Sequence, residues 1–329
     1  MNIVYSSSDS YSPIAGVSLY SLLCSNKDSA ELNVYIVDNH ISKKNKDKFI
    51  DMCNQFGRPL IFIPIADIEK LAGTSIDIGR WNISTFGRLF EASLLPQSVE
   101  KVIHVDCDTM ITSSLEPLWN MDMDGKTVAG ALECIGDNYK KEVGLSSDDI
   151  YINAGNIMLN LKKIRDEHIE DKFKEYIKNH SQLSFVDQAV LNACVPSDEK
   201  LVFPLGYNAY SMIYYVKYKN LKKVKRVTHY YSEEEVKSAV ENPSIVHFTT
   251  CFMDGTRPWM ENNFHPMLST YYDYKNRSPW ADEPLWKDER SKIKKIAYKM
   301  FNILPQGFVA SSIGFVHGVI IPKKNKLKK

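Results

Sequence analysis

The chain has 329 residues, enough for one large domain or a domain with an appendage, and its make-up is that of an ordinary globular protein, 44% hydrophobic and 25% charged. That balance excludes disordered and fibrous classes, and a net charge of +1 argues against a dedicated nucleic-acid binder. The charge is unevenly spread: from Arg290 onward there are ten Lys or Arg and no Asp or Glu, while residues 1–289 hold 31 basic and 40 acidic residues, so a +10 tail follows a −9 body. Six cysteines without a CxxC pair read as reduced thiols, and the opening MNIVYSSSDS has neither the basic nor the apolar part of a signal peptide, so a cytoplasmic protein is expected.

In chain order, Asn2 to Ser6 reads as a buried strand, and Ser12 as the N-cap, with Pro13 at the first helical position, of a helix running through Leu23. Leu32 to Val37 is a second strand, Ser42 caps a helix to Phe56, and Leu60 to Ile65 is a third strand. A helix is expected from Ser84 to Leu95, stopped by Pro96, and a fourth strand over Lys101 to Val105. Strand segments follow at 127–132, 151–159, 201–204 and 244–248, with helices over 162–178 and 186–194. Strand–helix alternation with short links predicts an α/β protein of Rossmann type, its first strands parallel and covered on both faces. The division expected is a catalytic body over residues 1–255 and a mostly helical region over 256–329.

The strongest local feature is Asp106-Cys107-Asp108, directly after the strand KVIHV. Ligands of open α/β sheets sit beyond the carboxyl ends of strands, and two carboxylates there can converge on one hard cation, Mg²⁺ or Mn²⁺, of the kind that bridges diphosphate oxygens. Asp122-Met123-Asp124 has the same spacing, but it runs into Gly125 and Lys126 and reads as a turn.

Around the first pair stand STFGRLF (84–90), INAGNIMLNL (152–161), FVDQAVLN (185–192), IVHFTT (245–250) and TRPW (256–259). In this order and spacing they resemble glycosyltransferase family 8, the family of glycogenin and the bacterial lipooligosaccharide galactosyltransferases, from the first strand to about Trp259. The resemblance implies a mixed-sheet nucleotide-diphospho-sugar transferase fold (GT-A type) and a retaining hexosyltransferase that takes galactose or glucose from a UDP-sugar to a saccharide or glycolipid acceptor in surface polysaccharide or lipopolysaccharide synthesis. It implies that Asp106, Asp108 and His247 ligate Mn²⁺, with Mg²⁺ as the alternative ion. Donor contacts would come from Ser8, Asp9, Arg88, Asp106, Cys107, Asp108, Asn153, Ala154, Gly155 and Arg257, and catalytic ones from Asp187 and Gln188. Arg257 stands where the family usually has Lys, and can meet a diphosphate with two donors. Two departures stand out: the family often has two successive acids where this chain has Ser8-Asp9, and the segment from His247 to Arg257 is longer than in the galactosyltransferases. Gln188 is a poor nucleophile, which favours front-face attack guided by the leaving phosphate over a double displacement.

In the tail, Ile293, Ile296, Ala297, Met300, Phe301 and Leu304 share one helical face, with Lys292, Lys295 and Lys299 on the other, before Pro305 and Gly307. A basic amphipathic helix of this kind predicts contact with an anionic membrane at its inner face, the alternative being packing on the acidic body. Two rival readings are a sugar nucleotidyltransferase, which would want a Gly-rich phosphate loop absent from YSSSDSYSP, and a non-catalytic nucleotide-sugar-binding protein, which would not need an intact Asp106, Asp108, His247 and Asp187-Gln188.

Overall fold

The computed structural model describes residues 1–65, 70–71, 83–180, 186–251 and 255–320; Phe185, Asp254 and the lysines beyond residue 320 fall outside them. A seven-stranded sheet runs in the order β3-β2-β1-β4-β7-β6-β8, built from β1 (Asn2–Ser8), β2 (Asn33–Asn39), β3 (Leu60–Pro64), β4 (Lys101–Val105), β6 (Val128–Leu132), β7 (Ile152–Asn160) and β8 (Lys200–Val202). The first four strands are mutually parallel, while β7 runs antiparallel to both β4 and β6, so the sheet is mixed. A second sheet has the order β5-β10-β9, with β5 (Thr109–Ile111), β9 (Ala209–Tyr210) and β10 (Ile245–His247).

The apolar runs of the parallel strands fill both faces, because successive side chains point to opposite sides. Ile3, Tyr5, Val34, Ile36, Ile103 and Val105 meet Leu19, Leu22 and Phe49 from helices α1 (Ser12–Ser25) and α2 (Lys43–Gln55). The alternate residues Val4, Tyr35, Val37 and Val102 meet Phe86, Leu89 and Phe90 on the other face.

Three local expectations differ from the structure. Ser12 is the first residue of α1 rather than its cap; Tyr11 is the cap, and the Ser12 hydroxyl donates to the Ser8 carbonyl at 3.0 Å. The segment 83–94 starts as a 3₁₀ helix (Ile83–Phe90) and becomes α-helical only over Glu91–Leu94, its tighter winding bringing Arg88 Nε to within 3.3 Å of the Thr85 carbonyl. The helix expected over 162–178 is two helices, Leu161–Asp166 and Ile169–Asn179, divided at His168, whose φ of 52° is left-handed and cannot continue a helix. Asp124 and Gly125 both have positive φ, as a turn requires, so the second DxD is turn chemistry.

Beyond the second sheet, helix Leu268–Arg277 packs on α1, and Trp280 is fully buried, its indole N–H donating to Asn45 on α2 at 3.0 Å. Helix Gln306–Phe315 lies against helix Tyr218–Lys225 so closely that a methyl group on Gly314 would stand 2.0 Å from the Lys223 carbonyl oxygen.

Candidate active site

Asp106, Cys107 and Asp108 form the link between β4 and β5, at the carboxyl end of the parallel strands. The Asp106 amide donates to the Gly155 carbonyl (2.8 Å), and Cys107 turns inward, its thiol on the Ser6 carbonyl at 3.1 Å. Cys107 is buried, which pushes its thiol pKa up. The antiparallel pairing of β10 with β5 sets His247 opposite Thr109 and so beside Asp108. His247 Nε2 lies 3.1 Å from Asp108 Oδ1 and 3.6 Å from Asp106 Oδ2.

One ligand atom from each of Asp106, Asp108 and His247 lies within 4.8 Å of the others. Two carboxylates and an imidazole make a donor set for a hard or borderline divalent cation. The close quarters depend on Gly155: a methyl group there would sit 2.4 Å from His247 Cε1 and 2.7 Å from Asp106 Oδ2.

Arg88 is buried and clamps the two halves of the site. One terminal nitrogen donates to Asp106 Oδ1 at 2.6 Å, the other to the Ala154 carbonyl, and Nε lies 2.8 Å from Asp187 Oδ2. Burial opposes charge on Asp106, yet Arg88 and the neighbouring His104 and His247 hold its carboxyl well below the usual range. Asp187 moves the other way: its burial outweighs the attraction of Arg88 and raises its pKa. Burial likewise works against the Arg88 guanidinium, but the flanking carboxylates raise its pKa and keep it charged.

Helix Val186–Cys194 carries Asp187 and Gln188, and Gln188 Oε1 accepts from the Ala154 amide at 3.0 Å. Asn192, one turn later, accepts from the Ile152 amide and donates to the Ile152 carbonyl, both at 2.9 Å, so its side-chain amide pins the helix to the start of β7. In the turn Asn153-Ala154-Gly155, Asn153 donates to Glu133 Oε2 at 2.5 Å and accepts from the Gly155 amide at 2.9 Å. Arg257 reaches Asp108 Oδ2 at 3.4 Å from the far side. Among the residues singled out in the sequence, these come together, while Ser8 ends β1, the strand beside β4. Asp9 does not: its carboxylate accepts from the Ser42 amide and the Asn45 side chain, both at 2.8 Å, at the start of α2.

The family model for glycosyl transferase family 8 matches residues 2–263. The chain belongs to that family. Among family 8 relatives and similar proteins, General stress protein A of Bacillus subtilis (strain 168) is 26% identical over 285 residues, 85% of this chain and 94% of that one. The Lipopolysaccharide 1,2-glucosyltransferase of Escherichia coli (strain K12) is 24% identical over 290 residues, 86% of this chain and 80% of its own. A crystal structure of the galactosyltransferase LgtC in complex with donor and acceptor sugar analogs superposes with a TM-score of 0.69 at 20% identity, covering 85% of this chain and 96% of that one. The fold is therefore the one that LgtC has, and the chain is a glycosyltransferase.

Within this family 8 site several residues escaped the sequence reading. His104 and Glu91 form a fully buried pair beneath Asp106, with His104 Nε2 3.8 Å from Asp106 Oδ1. The signal available was a polar residue in the apolar run KVIHV. Asn208, fully buried in the segment GYNAY, meets His247 Nδ1 at 2.8 Å, and nothing in its surroundings marked it out. Tyr11 is mostly buried beside Arg257 and packs edge-on to Trp286 at 5.3 Å.

Proposed function

We propose that this glycosyltransferase moves a hexose, galactose or glucose, from a UDP-sugar to a saccharide or glycolipid acceptor with retention of configuration, using Mn²⁺, or Mg²⁺ in its place, at Asp106, Asp108 and His247. The observation that carries the reading is Arg88, whose one guanidinium joins the metal-side carboxylate Asp106 to the sugar-side carboxylate Asp187. The cation, once held, neutralises charge on the departing diphosphate. Ser8, Cys107 and Arg257 would line the nucleotide side, and Asn153, Ala154, Gly155, Asp187 and Gln188 the sugar side, with Asp9 bracing the first loop against α2.

Front-face attack is favoured by what the carboxylates are doing: Asp187 is bound to Arg88, Glu133 to Asn153, and Gln188 is an uncharged amide tied to Ala154. The lipopolysaccharide glucosyltransferase among the relatives supports a place in surface polysaccharide synthesis. The test is release of UDP from UDP-galactose and UDP-glucose by purified protein with Mn²⁺. Release that stops in EDTA and in Asp108→Ala supports the reading; full release in EDTA would overturn it.

The same reading places the enzyme in the cytoplasm, at the inner face of the membrane, with residues 1–255 as the catalytic body and 256–329 as the region that meets lipid. Among the described residues no helix is long and apolar enough to cross a membrane. Helix Lys292–Ile303 exposes Ile293, Ile296, Met300 and Ile303, spaced i, i+3, i+7 and i+10 on one face. Phe301 and Leu304, expected on that face, instead pack against the protein core, and Lys295 is engaged by Asp288. Phe308 in the next helix is exposed as well. An apolar stripe set among lysines, in a segment free of acids, fits an anionic lipid surface.

A further inference from the structure

Asn208 stands 39 residues before His247 and lies outside the segments singled out in the sequence. Its side chain is fully buried, and all of its polar contacts are made inside the site. Asn208 Oδ1 lies 2.8 Å from His247 Nδ1 and accepts from Asn156 Nδ2 at 2.9 Å, while Asn208 Nδ2 donates to Asn153 Oδ1 at 2.9 Å.

The direction of these bonds follows from one backbone group. The Gly155 N–H can only donate, and it donates to the Asn153 side chain, so that atom is the amide oxygen. The Asn208 atom facing the same oxygen must then be its NH₂ group, which turns the Asn208 oxygen toward His247. An oxygen there requires a proton on Nδ1, and so Nε2 is the ring nitrogen presented to Asp106 and Asp108. Reversing Asn208 would set its oxygen against the Asn153 oxygen that the Gly155 N–H already fixes.

We propose that Asn208 is a positioning residue that couples the metal ligand His247 to the donor-sugar turn at Asn153. One amide sets both the ring orientation of His247 and the direction of Asn153, whose own NH₂ group is held by Glu133. The metal half and the sugar half of the site are thereby joined a second time, independently of Arg88. The inference rests on the donor and metal reading above.

Two variants separate the halves. Asn208→Leu removes both connections. Asn208→Asp keeps an acceptor for His247 but sets an oxygen against Asn153 Oδ1. Mn²⁺ binding is followed by electron paramagnetic resonance on protein without donor, UDP and UDP-sugar binding by calorimetry at saturating Mn²⁺, and folding by the melting curve. Loss of an outer-shell partner weakens Mn²⁺ binding by about tenfold or more in Asn208→Leu. In Asn208→Asp, Mn²⁺ binding is kept, UDP binding is kept, and UDP-sugar binding falls about tenfold. A residue that only filled space would shift the melting curve and leave this split unseen. Wild-type protein that bound no Mn²⁺ would overturn the metal reading, and this inference with it. Wild-type binding matched by both variants, or lost equally in both, would overturn the role of Asn208 alone.

Discussion

Gly155 and His247 touch across the site with no room for a methyl group between them: a Cβ on Gly155 would stand 2.4 Å from His247 Cε1. Real side chains do not approach so closely, so any larger residue displaces the imidazole, Asp106, or the turn itself. Gly155→Ala is expected to fold, since the clash meets side chains at the open end of the sheet. It is expected to lose UDP release by about a hundredfold, the usual consequence of moving a reacting group by about 1 Å. Circular dichroism alongside the release assay checks both halves; wild-type turnover in the variant would show that the ligands have slack.

Arg88 and Asp187 make an asymmetric pair in stability. Replacing the arginine, as in Arg88→Met, leaves Asp106 and a buried Asp187 without their cation, and breaking a buried pair in this way costs about 3–5 kcal/mol. Replacing Asp187 leaves Arg88 still bound to Asp106 and to the Ala154 carbonyl, so Asp187→Asn should be much the milder change. Denaturant midpoints for the two variants test the order. In calorimetry Asp187→Ala should lose affinity for UDP-sugar while UDP still binds, and equal loss of both would put Asp187 elsewhere than at the sugar.

His265 gives the fold an acid limit. It is buried among Tyr214, Tyr215 and Phe248, and that burial lowers its pKa to about 4. The unfolded chain takes up this proton near 6.5 and the folded chain only near 4, so the contribution is complete above 6.5 and is lost as pH falls toward 4. Between those values His265 costs the fold about 1.4 kcal/mol per pH unit. His265→Phe should flatten the pH dependence of the denaturant midpoint in this window, and an unchanged slope would assign acid sensitivity to other groups.

For the tail, full-length protein is expected to sediment with vesicles containing anionic phospholipid and not with neutral ones, and less so at high salt. Each lysine near such a surface contributes about 1 kcal/mol. Ile296→Asp with Ile303→Asp should release the protein into the supernatant with UDP release intact. If the double variant sediments like the parent, the exposed stripe is not the contact. Light scattering without lipid would reveal self-association as its occupant instead.

Much of this was legible in the chain because it is local. Apolar runs of strand length set between helical patterns mark out β1 to β4, and a carboxylate pair after a parallel strand faces the ligand end of the sheet. Helix Val186–Cys194 lies where its pattern put it. What was not legible depends on partners far away in sequence. The winding of Ile83–Phe90 is tied to the reach of Arg88, Asn208 has meaning only beside His247 and Asn153, and Asp9 reads as a site acid until its bonds to Ser42 and Asn45 are seen. The tail helix shows apolar residues on more of its circumference than one partner needs, so periodicity could not say that Phe301 and Leu304 turn inward while Ile303 turns out.

The antiparallel register of β5 with β10, Ile245 against Ile111, has a consequence for how the protein is made. During synthesis the acidic pair is exposed more than a hundred residues before its imidazole partner leaves the ribosome. A nascent chain can assemble the parallel strands early and still hold an incomplete ligand set. Products cut short before β10 would lack one of the three groups and, on the metal reading, would hold a cation less tightly than the finished chain.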